Sequence, residues 1–119
     1  MASGIIEKLS NDSANGYCKF PDGTLMCWGT ISIPNSTTIS NTWGSVYESA
    51  RIAVSINFPV AFVSAPELIV SLKSNPVTFL ENTLTASTTG INGAYWLMRP
   101  QSATLDNGSI TWFAIGRWK

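Results

Sequence analysis

Asn15-Gly16-Tyr17-Cys18-Lys19-Phe20-Pro21-Asp22-Gly23-Thr24-Leu25-Met26-Cys27-Trp28-Gly29 is the stretch on which the fold of this 119-residue chain turns. Two runs rich in aromatic and apolar residues flank Pro21-Asp22-Gly23. Each turn residue has its own mechanism: Pro presets φ, Asp closes a local hydrogen bond and Gly takes the left-handed position. The stretch is therefore a β-hairpin, with residues 17–20 and 24–33 as its strands. A two-residue Asp-Gly turn would set Cys18 against Cys27, but it would also put Pro21, which has no N–H, into a hydrogen-bonded pair. A three-residue turn avoids this. It pairs Phe20 with Thr24, Lys19 with Leu25 and Cys18 with Met26, and it sends Cys18 and Cys27 to opposite faces. Two free thiols are expected, as suits synthesis in a reducing cytosol.

Outward from the hairpin the pattern stays extended. Residues 51–58 alternate, with Ile52, Val54, Ile56 and Phe58 on one face and Arg51, Ala53, Ser55 and Asn57 on the other. Residues 67–73, 77–87, 94–99 and 109–118 complete six or seven short strands between turns bearing Pro and Gly, and Asn107-Gly108 is a second strong turn signal. Residues 32–45 read as a long Ser/Thr/Asn loop. Trp28, Trp112 and Phe113 lie within strands and are assigned to the core; of the neighbours Tyr95 and Trp96, one must point inward. The fold class is all-β: a small antiparallel sandwich of about six strands. Residues 1–15 form a lead-in, in which Ile5, Ile6 and Leu9 are spaced for one face of a short helix, either a flexible tail or the end of a stalk. Residues 16–119 form the domain.

Composition narrows the function. Seven Lys+Arg balance seven Asp+Glu, so the chain has no electrostatic footprint for a phosphate backbone or an anionic membrane. It has no His, the commonest general base and zinc ligand, and two Cys are too few for a structural zinc site. Glu48, Glu67 and Glu81 are separated by strands and turns, which leaves no paired-carboxylate site. No enzyme, metal or cofactor is expected. No apolar run approaches the roughly 20 residues of a membrane span, and Glu7 interrupts the start where a secretory signal would be basic and then apolar.

Ser, Thr and Asn total 36 residues against 14 charged ones, so neutral hydrogen-bonding groups cover the surface. Such a surface suits a neutral glycan, which asks for aromatic faces beside amide, hydroxyl or Arg donors. Two clusters offer these parts: Trp43 and Tyr47 beside Gly44, at the end of the polar loop 34–41, and Tyr95, Trp96 and Arg99 with Asn92 nearby. The same residues have ordinary readings as loop anchors, core aromatics and solvated or inter-subunit cations. Arg117-Trp118 is expected to dock under a neighbouring chain.

The opening run, with an aromatic residue and Lys before Pro-Asp-Gly and an apolar stretch ending in Trp28-Gly29, resembles the first hairpin of C-terminal domains of bacteriophage and prophage tail fibres. Phe58-Pro59, Phe62, Pro66 and Glu67-Leu68-Ile69-Val70-Ser71 are similar to a stretch shared with H-type lectins. Ile110-Thr111-Trp112-Phe113-Ala114-Ile115-Gly116-Arg117-Trp118-Lys119 resembles the closing strand of the same tail domains. The resemblance implies a six-stranded sandwich that trimerises at a fibre tip on the virion and contacts the host surface, often a glycan. H-type lectins bind sugar with a residue set that includes His, so their site does not transfer to this chain. The expectation is a homotrimeric receptor-binding tip domain, made in the bacterial cytoplasm. The alternatives are a structural module that caps or trimerises the fibre, and an adhesin for a protein receptor.

Overall fold

The turn at Pro21-Asp22-Gly23 forms as its chemistry requires. Gly23 takes φ +102°, the Thr24 N–H donates to Asp22 Oδ1 at 2.8 Å, and the Phe20 N–H donates to the Thr24 carbonyl at 2.9 Å. It joins β2 (Gly16–Lys19) to β3 (Thr24–Ser32). Cys18 pairs with Met26 and Lys19 with Leu25, the three-residue register. Cys18 and Cys27 are both free and buried, on opposite faces.

The computed structural model describes residues 7–10 and 15–119. The remaining strands are β1 (Glu7–Ser10), β4 (Thr37–Trp43), β5 (Val46–Ser49), β6 (Ile52–Asn57), β7 (Glu67–Lys73), β8 (Phe79–Asn82), β9 (Thr85–Ala86), β10 (Gly90–Arg99), β11 (Ala103–Leu105) and β12 (Ser109–Arg117). They form an antiparallel sandwich. One sheet has the order β1-β2-β3-β12-β7; the other is built on β11, β4, β5, β10 and β6, with β8 and β9 also paired to β10. No helix among the described residues is long and apolar enough to cross a membrane.

β10 organises the second sheet. Met98 lies between Glu48 and Phe79, and Tyr95 between Ile52 and Asn82, so β5 and β6 lie end to end along one edge while β8 and β9 lie along the other. Each edge has a break with a local cause. Between β5 and β6, the Leu97 N–H donates to the buried Ser49 hydroxyl at 2.9 Å in place of a strand carbonyl. Between β8 and β9, Gly93 adopts φ +135°, and a Cβ there would stand 2.4 Å from the Thr83 carbonyl oxygen.

The core lies between the sheets. Leu25, Cys27, Ile110, Trp112 and Ala114 face Ile39, Val54, Ile91, Tyr95, Leu97 and Leu105. Residues 58–66 cross from one sheet to the other and close one end of the core. Phe58 and Phe62 meet edge to face at 5.1 Å, and Phe58 sits 5.7 Å from Trp112. The crossing is held by hydrogen bonds from the Phe58 and Phe62 N–H groups to the Thr89 and Thr88 carbonyls, each 2.8 Å.

Four expectations are corrected. Residues 32–45 are not all loop, because β4 occupies half of that stretch; Ile39 alone anchors β4 in the core. Residues 7–10 are a strand on β2, with Leu9 opposite Tyr17, in place of a helical turn; Ile5 and Ile6 lie outside the described residues. Trp28 and Phe113 are half-buried register partners on the outer face of the five-stranded sheet, because Cys27 and Trp112 take the inward positions beside them. Arg117 and Trp118 dock on the chain's own first turn. The Trp118 N–H donates to the Gly23 carbonyl at 2.9 Å and the Arg117 guanidinium donates to the Asp22 carbonyl.

Candidate functional site

The two ends of the sandwich differ in kind. At one end Arg117 registers with Thr24 and Glu7 with Lys19, so the chain comes into its first strand beside the 20–23 turn and the C-terminal residues. At the other end Ser109 registers with both Ser32 and Lys73. Residues 33–36, 74–78 and 106–108 therefore leave the five-stranded sheet together. Each of these three loops contains one non-glycine residue with left-handed backbone: Ser36 (φ 63°), Val77 (φ 61°) and Asn107 (φ 62°). Such a conformation is tolerable for Asn but strained for a β-branched residue such as Val.

Two concavities open at this loop end. The first, about 440 Å³, is an apolar groove lined by Val46, Val77, Phe79, Met98 and Pro100, with Glu81 and Arg99 its charged members. Phe79 is 61% exposed beside it, and Trp43, the register partner of Val46, is equally exposed at the tip of the β4–β5 hairpin. The second, about 510 Å³, lies between residues 32–35 and 107–109 and is lined by neutral residues, chiefly Ser and Asn.

The structure divides the residues singled out from the sequence by the alternation of β10. Tyr95 faces inward and is 1% exposed; burial pushes its phenol pKa up. Trp96 faces outward, with the Arg51 guanidinium 4.2 Å from the ring centroid, a cation–π contact. Tyr47 and Arg99 are register partners; Tyr47 packs against the core, while Arg99 reaches the groove. Asn92 is exposed near the other end of β10, about 20 Å from Arg99 at the usual strand rise. Trp43, Trp96 and Arg99 thus share one half of the second sheet, and Asn92 stands apart.

Sequence reasoning missed Val77, Phe79, Glu81 and Met98. They come from a loop and two strands that only the pairing of β8 with β10 brings side by side: Phe79 to Met98 and Glu81 to Trp96. The usable signal was local, an apolar Val-Thr-Phe-Leu run directly after Asn75-Pro76. Among the described residues no group of three or more His, Cys, Asp or Glu is placed to hold a metal ion.

A family model described as putative tail fiber protein gp53-like, C-terminal, matches residues 19–117. The fold is similar to that of an N-truncated R1-type pyocin tail fiber, with a TM-score of 0.55, 18% identity, and coverage of 93% of this chain and 86% of that one. It is similar to the same degree to a P. aeruginosa R1 pyocin fiber comprising C-terminal residues 323–701, of which it spans 28%. At this identity the likeness establishes the fold. No curated protein sequence matches the chain.

Proposed function

The chain belongs to the gp53-like C-terminal tail fiber family, and we propose that it is the receptor-contacting tip domain of a phage or phage-like tail fibre, binding a saccharide on the host cell surface. The observation that carries this reading is the polarity of the domain. The chain comes in at Glu7 beside the first turn, and the loops, both concavities and the exposed Trp43 and Phe79 gather at the far end. A fibre presents its far end to the cell. There the aromatic faces of Trp43 and Phe79 suit the C–H faces of sugar rings, and Arg99 and Glu81 suit their hydroxyls.

Assembly as a homotrimer is part of the proposal. Its support is the outer face of the five-stranded sheet, where Trp28, Phe113 and Ile69 form one row across β3, β12 and β7, with Met26 and Ile115 in the next. Ile69 is 57% exposed. An apolar patch of this kind, bordered by Glu67 beside Ile115, suits burial against further copies of the chain.

Competition tests the reading. The purified domain, added in excess, blocks adsorption of the parent particle to host cells, and Trp43→Ala with Phe79→Ala weakens the block at least tenfold without loss of folding. An intact block by the double variant moves the contact away from Trp43 and Phe79, and no block by the intact domain favours the capping module. A block that survives glycosidase treatment of the cells but not protease treatment points to a protein receptor. Light scattering that gives the mass of one chain, 12.8 kDa, refutes the trimer.

A further inference from the structure

The neutral concavity at the loop end is separate from the aromatic groove. It lies between residues 32–35 and 107–109, and its walls are pinned to each other. The Ile33 N–H donates to the Gly108 carbonyl at 3.0 Å, the Asn107 N–H to Asn35 Oδ1 at 3.1 Å, and the Ser36 N–H to Asp106 Oδ1 at 2.8 Å. These three bonds tie loop 33–36 to loop 106–108 and hold Ser36 and Asn107 in left-handed backbone. A cleft built this way is ordered before a ligand arrives, so binding forfeits little loop entropy.

The clasp uses only half of each polar side chain. Asn35 spends its carbonyl oxygen and keeps its NH₂ group. The Asn107 side-chain amide and the Ser32 and Ser109 hydroxyls have no partner among the described residues. What remains free is a mixture of donors and acceptors with no formal charge, around a cleft of about 510 Å³ whose apolar wall is Pro34 and Ile33. A sugar hydroxyl both donates and accepts, and a pyranose ring carries several of them around an apolar C–H face. The flanking charges oppose each other: Asp106 follows Leu105, and Lys73 is the register partner of Ser109. Neither a phosphate nor a carboxylate finds a cationic lining here.

We infer that this cleft binds one neutral glycosyl unit, with the Asn35 and Asn107 amides as its principal hydrogen-bonding groups. The inference rests on the receptor-binding reading above and names the class of ligand at the loop end. The test is titration of the ¹⁵N-labelled domain with glucose, galactose, mannose and N-acetylglucosamine at millimolar concentration, with glucuronate as the acidic comparison. Saturable shifts of the Asn35 and Asn107 side-chain amides with at least one neutral sugar are expected. Two variants keep the clasp. Asn35→Asp retains the accepting Oδ1 but loses the NH₂ group, and Asn107→Gly retains the left-handed backbone but loses the amide. Each weakens binding about tenfold, the scale of one well-made hydrogen bond, with an unchanged urea midpoint.

The inference is overturned if no neutral sugar shifts these signals, if the shifts appear only around Trp43 and Phe79, or if glucuronate binds as tightly as the neutral sugars. Adsorption blocked by the domain in the absence of such shifts removes this cleft and leaves the receptor-binding reading standing. Absence of blocking by the intact domain removes that reading itself.

Discussion

The indole N–H of Trp118 donates to the main-chain carbonyl of Phe20 at 2.9 Å, across 98 positions of sequence. Lys19 and Lys119 place their ammonium groups 5.0 Å and 4.8 Å from the same ring. The last strand is thereby latched to the first turn. Trp118→Ala removes the hydrogen bond together with the half-buried ring, and is expected to cost about 2 kcal/mol. A lower urea midpoint with an unchanged m-value checks it.

Asp22 makes the latch sensitive to acid. Its carboxylate accepts from the Thr24 N–H, and this bond above all, helped by the Thr24 hydroxyl and the charge of Arg117, lowers its pKa from 3.8. The unfolded chain then binds the proton more readily than the folded one. The contribution is complete above the ordinary carboxylate value and is lost as the pH falls through the lowered one. Urea midpoints of Asp22→Ala measured between about pH 2 and 6 are expected to fall less steeply with acid than those of the wild type.

Burial pushes the Cys27 thiol up to about 11. A raised folded value means that stability is complete below the ordinary thiol value of 9.0 and is lost as the pH rises through about 11. At mildly alkaline pH, iodoacetamide is expected to leave Cys27 unmodified in the native protein and to label both thiols once urea unfolds it. Mass spectrometry reads the difference.

Two backbone positions predict effects of opposite sign. Gly93→Ala drives a Cβ against the Thr83 carbonyl oxygen at a positive φ and is expected to destabilise by about 2 kcal/mol. Val77, 56% exposed with φ 61°, has little packing to lose. Val77→Asn is expected to stabilise by about 1 kcal/mol, because Asn accepts the left-handed region. Chemical denaturation of both variants measures the pair.

The parts of the fold that were legible in sequence are those with a local cause. Pro21-Asp22-Gly23 dictates both a turn and its register, and β6 carries enough alternation through Ile52, Val54 and Ile56 to read as a strand. β4 carries one inward apolar residue, Ile39, among Thr, Ser and Asn, so its period of two is invisible until β5 and β11 pair with it. Trp112 and Phe113 show a second limit. Neighbours in a strand cannot both face inward, and only the opposing sheet decides which does. The candidate site has the same limit in sharper form. Trp43 and Arg99 were found by residue type, whereas Phe79, Met98 and Glu81 become neighbours only through β10.

The seam where β1 enters beside the first turn and the three loops occupy opposite poles of the sandwich. A residue exchanged in loops 33–36, 74–78 or 106–108 is separated from the seam by the length of the core. Under the receptor-contacting reading proposed above, target preference would change through these three loops without touching the seam, and grafting three short peptides would retarget the domain.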